Sequence, residues 1–320
     1  MTFTRRQFIN SSSVALAGTA FSRLGLAQSP SSGAQAPAAQ APQAPAPTVT
    51  KFEDVRRNVG IFSGRGGTIG YLITPDGAIA VDAQFPDTAK ACVEGLQQKA
   101  TKGIQMLINT HYHGDHTGGN SAFRPAVKSI VQQERCAKLH KEFTQKNNTA
   151  AQQAYADITF GESWSTNIGD EKVWAHYYGP GHTGGDAVIF FEKANVVHMG
   201  DLMFNRLHPR VDRPSGASIK NWGSVLERVA KKHRDATFIF GHAKQGLPVT
   251  GSSKELLQLR DYFTAVLEHA QKGIRAGQSQ EQIVGVESLP KFEDYSSSGQ
   301  VLNLKGTLTA AYEELTSKTE

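Results

Sequence analysis

The stretch from Thr110 to Asn120 constrains this chain more tightly than any other. It contains His-Tyr-His-Gly-Asp-His, so that His111, His113, Asp115 and His116 fall within six positions, directly after the apolar run Ile104-Gln105-Met106-Leu107-Ile108. The run predicts a buried strand, with the polar cluster on the loop at its C-terminal end, where a rigid element holds side chains for chemistry. Imidazole and carboxylate are the usual ligands of zinc and other borderline divalent ions. Two histidines one residue apart reach one ion, and Asp115 with His116 can turn toward a second. A solvated polar loop is the plainer alternative. With eleven His in 320 residues, three in six positions exceed what chance supplies, and the metal reading is preferred.

The first 27 residues carry basic charge and no acid. Arg5-Arg6 precede a mildly apolar segment, Val14 to Phe21, followed by Gly25-Leu26-Ala27. That is the order of an export signal: charged region, short apolar region, small-residue cleavage site. The paired arginines resemble a twin-arginine signal, which makes the export machinery a partner of the precursor and predicts a periplasmic or otherwise exported product. The segment is too short and too rich in Ser, Gly and Ala to span hydrocarbon, which takes ~20 apolar residues, so no stable membrane insertion is expected. Residues 28–50 are almost entirely Ala, Pro, Gln, Ser and Gly. Such a composition buries too little apolar surface to offset ordering, and it predicts a disordered tether.

The leader also colours the charge. The chain has 34 basic and 29 acidic residues, a formal +5, but Arg5, Arg6 and Arg23 belong to the leader, and what remains carries +2. No run of Lys and Arg interleaved with aromatics marks a nucleic-acid surface, so a small-molecule partner is expected and nucleic acid is not. Cys92 and Cys136 are the only cysteines. An oxidising compartment permits a disulfide between them, while their places on apolar helix faces suit buried free thiols; both readings stay open. Oligomeric state is not legible.

Beyond residue 50, short strands are expected at 58–62, 69–73 and 78–81, with Thr74-Pro75-Asp76-Gly77 as a turn between the last two. Asp87 is placed to cap a helix carrying Ala89, Cys92, Val93 and Leu96. Further strands are expected at 104–108, 127–131, 172–178, 187–191, 195–198 and 237–240, and helices at 219–229, 256–267 and 304–315. Residues 140–166 show no sheet signal and read either as a helical insertion forming a lid near the site or as plain packing on the outside of the fold. Strands with interspersed helices in two similar halves predict two sheets packed face to face, with helices outside. The expected organisation is a main domain at 51–250 with a helical C-terminal extension, 251–320, packed on it.

Four more strand ends are polar: Val81-Asp82, then Gly181-His182-Thr183, then Gly200-Asp201, then Gly241-His242. Each alone is more often a cap or a turn. Together with the opening loop, in this order, they resemble the metallo-β-lactamase superfamily of binuclear metal hydrolases, across residues 55–245. The resemblance implies a four-layer αββα sandwich with its site at one edge of the sheets. It further implies one metal on His111, His113 and His182, a second on Asp115, His116 and His242, and Asp201 bridging both, with Asp82 as the carboxylate that orients the metal loop. One antibiotic-hydrolysing branch needs a Cys near position 201, where this chain has Asp201. Another usually lacks a bridging Asp. The full set is closer to the glyoxalase II-like pattern.

Imidazoles and carboxylates without thiolate suit two divalent ions ~3.5–4 Å apart, with the pKa of a bridging water lowered toward ~7. Zinc is expected, although iron and manganese accept the same donors. A Ser nucleophile elbow is absent. The leading expectation is an exported binuclear zinc hydrolase that attacks an ester, lactone, thioester or amide carbonyl with a bridging hydroxide, Asp115 passing a proton to the leaving group. A β-lactamase is the alternative within the same chemistry. A non-hydrolytic iron redox protein on the same fold is the alternative from another class, and a metal-binding module without turnover is disfavoured by the complete second set. His208, in the loop after Asp201, and Lys244, two past His242, are candidate substrate contacts. His140, His176, His198, His233 and His269 read as structural or surface residues.

Overall fold

Period-two alternation along buried strands decides how the layers stack. The computed structural model describes residues 49–317, so the predicted leader and nearly all of the predicted tether lie outside the described residues. The first sheet runs in chain order: β1 (Lys51–Arg56), β2 (Val59–Ser63), β3 (Ile69–Thr74), β4 (Gly77–Val81), β5 (Ile104–Ile108), β6 (Ser129–Gln133) and β7 (Ile158–Phe160). Its first four strands form an antiparallel meander, and β4 to β7 are parallel. The second sheet takes β8 (Ser163–Ile168), β9 (Glu171–Tyr177), β10 (Ala187–Phe191) and β11 (Val196–His198). After the short strand β12 (Phe204–Asn205) it adds β13 (Thr237–Ile239), and β12 pairs apart with β14 (His242–Ala243). β15 (Thr250–Gly251) closes the second sheet on β13.

Ile79 and Val81 of β4 join Ile108, Val173, Ile189, Val196 and Ile239 in a core shared by both sheets. Ala78 and Ala80, between and before them, turn outward, because successive strand residues point to opposite faces. On that outer side α1 (Pro86–Lys99) seats Ala89, Cys92, Val93 and Leu96 against Phe62, Tyr71 and Leu107. The metal-loop segment holds two single turns, α2 (Gly114–Thr117) and α3 (Asn120–Phe123), and α4 (Glu134–Lys146) follows β6. On the far face Val188, Val197 and Phe238 are covered by α5 (Ile219–Lys232), α6 (Ser253–Arg275), α7 (Gln280–Val284) and α8 (Leu304–Thr316). Helix, sheet, sheet, helix: the expected four layers, with a C-terminal helical region. Among the described residues no helix is long and apolar enough to cross a membrane.

Some local expectations change. Asp87 does not cap α1; Phe85 is the N-cap, Pro86 opens the helix, and Asp87 reaches Arg65 at 2.8 Å. Pro favours the first helical position and holds the residue before it extended, so the helix starts at Pro86 with Asp87 already inside its first turn. The 140–166 stretch is not a helical lid, since it holds the end of α4, all of β7 and the start of β8. A three-residue strand is too short to show a period, and β8 is an edge strand whose Trp164 and Ile168 stand among Ser, Thr and Asn. Cys92 and Cys136 are buried free thiols.

Parallel pairing carries the fold to the site. Val81 pairs with Ile108, and His198 with Ile239, so the C-terminal ends of β4 and β5, and of β11 and β13, lie level. The polar residues that follow these strands therefore emerge on one edge.

Candidate metal centre

Two sets of donor atoms converge at that edge. His111, His113, His182 and Asp201 form one, and Asp115, His116, Asp201 and His242 the other; within each set the atoms lie within 4.8 Å of one another. Asp201 serves both, with an oxygen turned to each. Its Oδ2 is 3.5 Å from His182 Nε2 and 3.9 Å from His111 Nε2, and its Oδ1 is 3.0 Å from His116 Nε2 and 3.4 Å from His242 Nε2. Asp115 Oδ2 lies 3.0 Å from His242 Nε2 and 3.6 Å from His116 Nε2. Backbone approaches this close leave no room for side chains. A Cβ on Gly67 would sit 2.2 Å from the His116 ring, and one on Gly241 would sit 2.0 Å from Asp201 Oδ1.

The outward nitrogen of each ring decides what the inward one offers. His116 Nδ1 donates to Asp82 Oδ2 at 2.8 Å. Thr110 Oγ1 donates to the same carboxylate at 2.8 Å and takes the Nδ1 hydrogen of His111 at 3.1 Å. His182 Nδ1 donates to the Arg210 carbonyl at 2.8 Å, and His113 Nε2 donates to Asp212 Oδ2 at 3.0 Å. Such partners fix the tautomer of a metal-binding histidine. Here they leave lone pairs on His111 Nε2, His113 Nδ1, His116 Nε2 and His182 Nε2, all aimed inward. His182 Nε2 and His113 Nδ1 face each other at 2.8 Å, close enough to share one proton that a metal ion would displace. His111 Nε2, His116 Nε2 and Asp201 Oδ1 are buried without any hydrogen-bond partner. Buried polar atoms are rarely left so. Shared cations satisfy all of these atoms at once, and the donor types suit divalent ions.

The electrostatics of the two sets differ. Burial, with His116 and His113 among the neighbours, holds His111 well below the usual imidazole range and His182 at about 3, so both rings are neutral bases. In the other set burial also disfavours charge, but the Asp201 and Asp115 carboxylates outweigh it, raising His116 well above its ordinary value and His242 to about 9. Asp201 is held well below the carboxylate range despite its burial, chiefly by His242 and His116. Without a metal the carboxylate-rich set therefore keeps protons on His116 and His242, which a bound ion would displace to free their inward lone pairs.

Asp82 is fully buried and has φ +67°, a left-handed conformation unusual for a non-glycine residue, and its carboxylate holds both the Thr110 amide at 2.8 Å and the His116 ring. Strain of this kind persists only where the surroundings over-determine it. Asp212 escaped the sequence reading. It lies 99 residues from His113, and no motif marks it. Tyr112 hydrogen-bonds Asp212 too, so its hydroxyl joins the carboxylate that stands behind His113. His208 sits under the C-terminal helices, its Nδ1 2.8 Å from the Tyr262 hydroxyl, and Lys244 Nζ donates to the Asp294 carbonyl at 2.8 Å. Neither contact joins the donor sets. His198 is satisfied structurally: Nε2 donates to the Thr68 carbonyl and Nδ1 accepts from the Gly200 amide.

A four-layer sandwich with two His/Asp donor sets at one sheet edge has the makings of a two-metal centre. A family model described as the metallo-beta-lactamase superfamily matches residues 64–242, which takes in every residue of both sets, and the chain belongs to that superfamily. The metallo-beta-lactamase type 2 of Bacillus sp. (strain 170) is 24% identical over 196 residues, 60% of this chain and 73% of that protein. The enzyme of the same name from Elizabethkingia meningoseptica is 24% identical over 174 residues, 54% of this chain and 67% of that protein. Among solved structures, a metallo-beta-lactamase from Pontibacter korlensis superposes with TM-score 0.56 at 18% identity, covering 68% of this chain and 99% of that one. The stereoselective inverting sec-alkylsulfatase Pisa1 from Pseudomonas sp. gives TM-score 0.64 at 15% identity, covering 84% of this chain and 50% of that one. At such identities the structures share a fold.

Proposed function

We propose that this chain is an exported hydrolase holding two zinc ions, one on His111, His113 and His182 and one on Asp115, His116 and His242, with Asp201 facing both. The observation that supports it most is the inward convergence of lone pairs, with three buried atoms left without partners. Divalent ions in such a pair polarise a carbonyl oxygen and lower the pKa of water toward ~7. The remaining work falls to the chain. Asp82 and Asp212 hold imidazoles in orientation from behind. Asp115, whose side chain is 28% exposed, is the acidic member of the sets open to an incoming molecule, and it is placed to take the proton that an attacking water releases and pass it to a leaving group.

The substrate proposed is an ester, lactone, thioester or amide. A β-lactam is one such amide, and the relatives' names favour including it, while Asp201 stands where a thiolate-using site needs Cys. The alkylsulfatase neighbour adds a sulfate ester to the panel. The twin-arginine-like leader supports export. The test is metal analysis of the purified chain followed by this panel, with and without chelator. Two equivalents of zinc and chelator-sensitive turnover are expected, and the substrate pattern separates the carbonyl, β-lactam and sulfate readings. One bound iron with oxygen consumption would overturn the proposal in favour of redox chemistry.

A further inference from the structure

The outer face of the second sheet is covered over β11 and β13 but left open over β8 and β9, and the open part is aromatic. Trp174 and His176 of β9 point outward, because Val173 and Ala175 on either side of them belong to the inter-sheet core. Their cross-strand neighbours on β10 are Phe190 and Val188. Tyr178 lies beyond the end of β9, 4.2 Å from the His176 ring, and His233, just past α5, lies 4.4 Å from Phe190. These side chains line a trough of about 310 Å3, at the small end of the ~300–1,000 Å3 typical of ligand sites. Val188 is buried at the floor, while Trp174, His176, Tyr178, Phe190 and His233 are half-buried, too wet for a core and too apolar for an ordinary surface.

Charge around the trough is unequal. At the Trp174 end, Glu192 already accepts from the indole Nε1 at 2.7 Å, and Lys172 lies over the indole at 3.9 Å. At the other end, α5 brings Arg228 over the Tyr178 ring at 4.9 Å and Lys232 into the lining. Among the described residues, no carboxylate lies within 4.0 Å of either cation, whereas Lys231, next in the chain, is paired with Glu227 at 2.6 Å. The cavity beside Arg206 and Lys244 differs, for both of those cations are tied to Asp294. The trough therefore combines aromatic walls with two cations that lack a carboxylate within 4.0 Å at one end, where Glu162 is the acidic group nearest His176.

We propose that it is a second small-molecule site, separate from the metal centre, that takes a flat aromatic carboxylate. The ring lies against Trp174, Phe190 and His176, and the carboxylate meets Lys232 and Arg228. Stacking and charge-assisted hydrogen bonding each select part of the ligand. Tyr178 is four residues before His182, so the site abuts the segment that carries a metal-facing histidine.

The test is calorimetric titration of the full chain with 2-naphthoate and with the neutral 2-naphthamide, before and after chelator treatment. Saturable one-to-one binding of naphthoate is expected, surviving chelation, with the amide at least tenfold weaker. Lys232→Gln should weaken naphthoate at least tenfold and leave the amide unchanged. Trp174→Ala should weaken both, with hydrolysis at the metal centre unaffected. Three results would each overturn the proposal: no saturation at millimolar naphthoate, binding lost on chelation, or affinity indifferent to both substitutions. A self-association of the chain that Trp174→Ala abolishes and naphthoate does not compete with would make the face a subunit interface instead.

Discussion

Asp212 accepts hydrogen bonds from both Tyr112 and His113, so one carboxylate sets the ring orientation at a metal-facing nitrogen and anchors the aromatic beside it. Asp212→Asn preserves shape and removes the charge. Metal affinity at the His111, His113 and His182 set should fall about 10–100-fold, as for other partners behind metal ligands. Chelator competition measures it, and an unchanged affinity would deny Asp212 that role. His116→Ala removes a donor from the other set and should lower the occupancy of that set more than of the first; equal loss from both would contradict the assignment of His116. The donors themselves were readable because they sit on five short motifs. Asp212 was not, because its role depends on a loop returning to His113 from 99 positions away.

Elements were legible in proportion to their length. α6 shows its apolar positions at helical spacing, and Leu256, Leu259, Phe263 and Val266 are all buried in it. Its start is fixed by Ser252 and Glu255, which cap each other's backbone amides. Leu259 is fully buried against the second sheet's helical layer. Leu259→Ala should therefore cost ~2–5 kcal/mol in urea unfolding, with the slope of the transition unchanged; a cost below 1 kcal/mol would mean the layer collapses around the gap. By contrast β12, β14 and β15 span two residues each. No periodic signal exists at that length, and pairing alone makes them strands.

At the scale of the molecule, the C-terminal helices are not an appendage. Leu256, Tyr262, Phe263 and Leu308 share one core cluster with Trp222 of α5 and Phe238 of β13. Thermal unfolding should be a single transition by calorimetry, and truncation after Gly251 should yield insoluble protein; separate melting of the extension would refute this. Stability should also respond to acid through His140, buried between Gln132 at 3.2 Å and Gln153 at 3.4 Å. Burial lowers this ring from 6.5 to about 4, with Gln153 acting the other way. The folded chain therefore refuses a proton that the unfolded chain accepts. The contribution is complete above pH 6.5 and is lost as the pH falls toward 4, by an amount of order 3 kcal/mol. His140→Gln should flatten that limb of the stability curve, and an unaltered limb would exclude His140 as its source.

What the sequence alone determined is the chemistry: which donors exist, that they follow hydrophobic strands, and that their number suits two ions. It could do so because ligand type is a property of side chains, and strand–loop alternation is a local pattern. Tertiary structure decided the rest. It turned Asp201 toward both sets, placed Asp212 behind His113 and tied His208 and Lys244 to the C-terminal segment. It also left one sheet face uncovered over Trp174 and His176. These outcomes depend on which distant segments meet, and that is governed by packing of the whole chain rather than by any stretch within it.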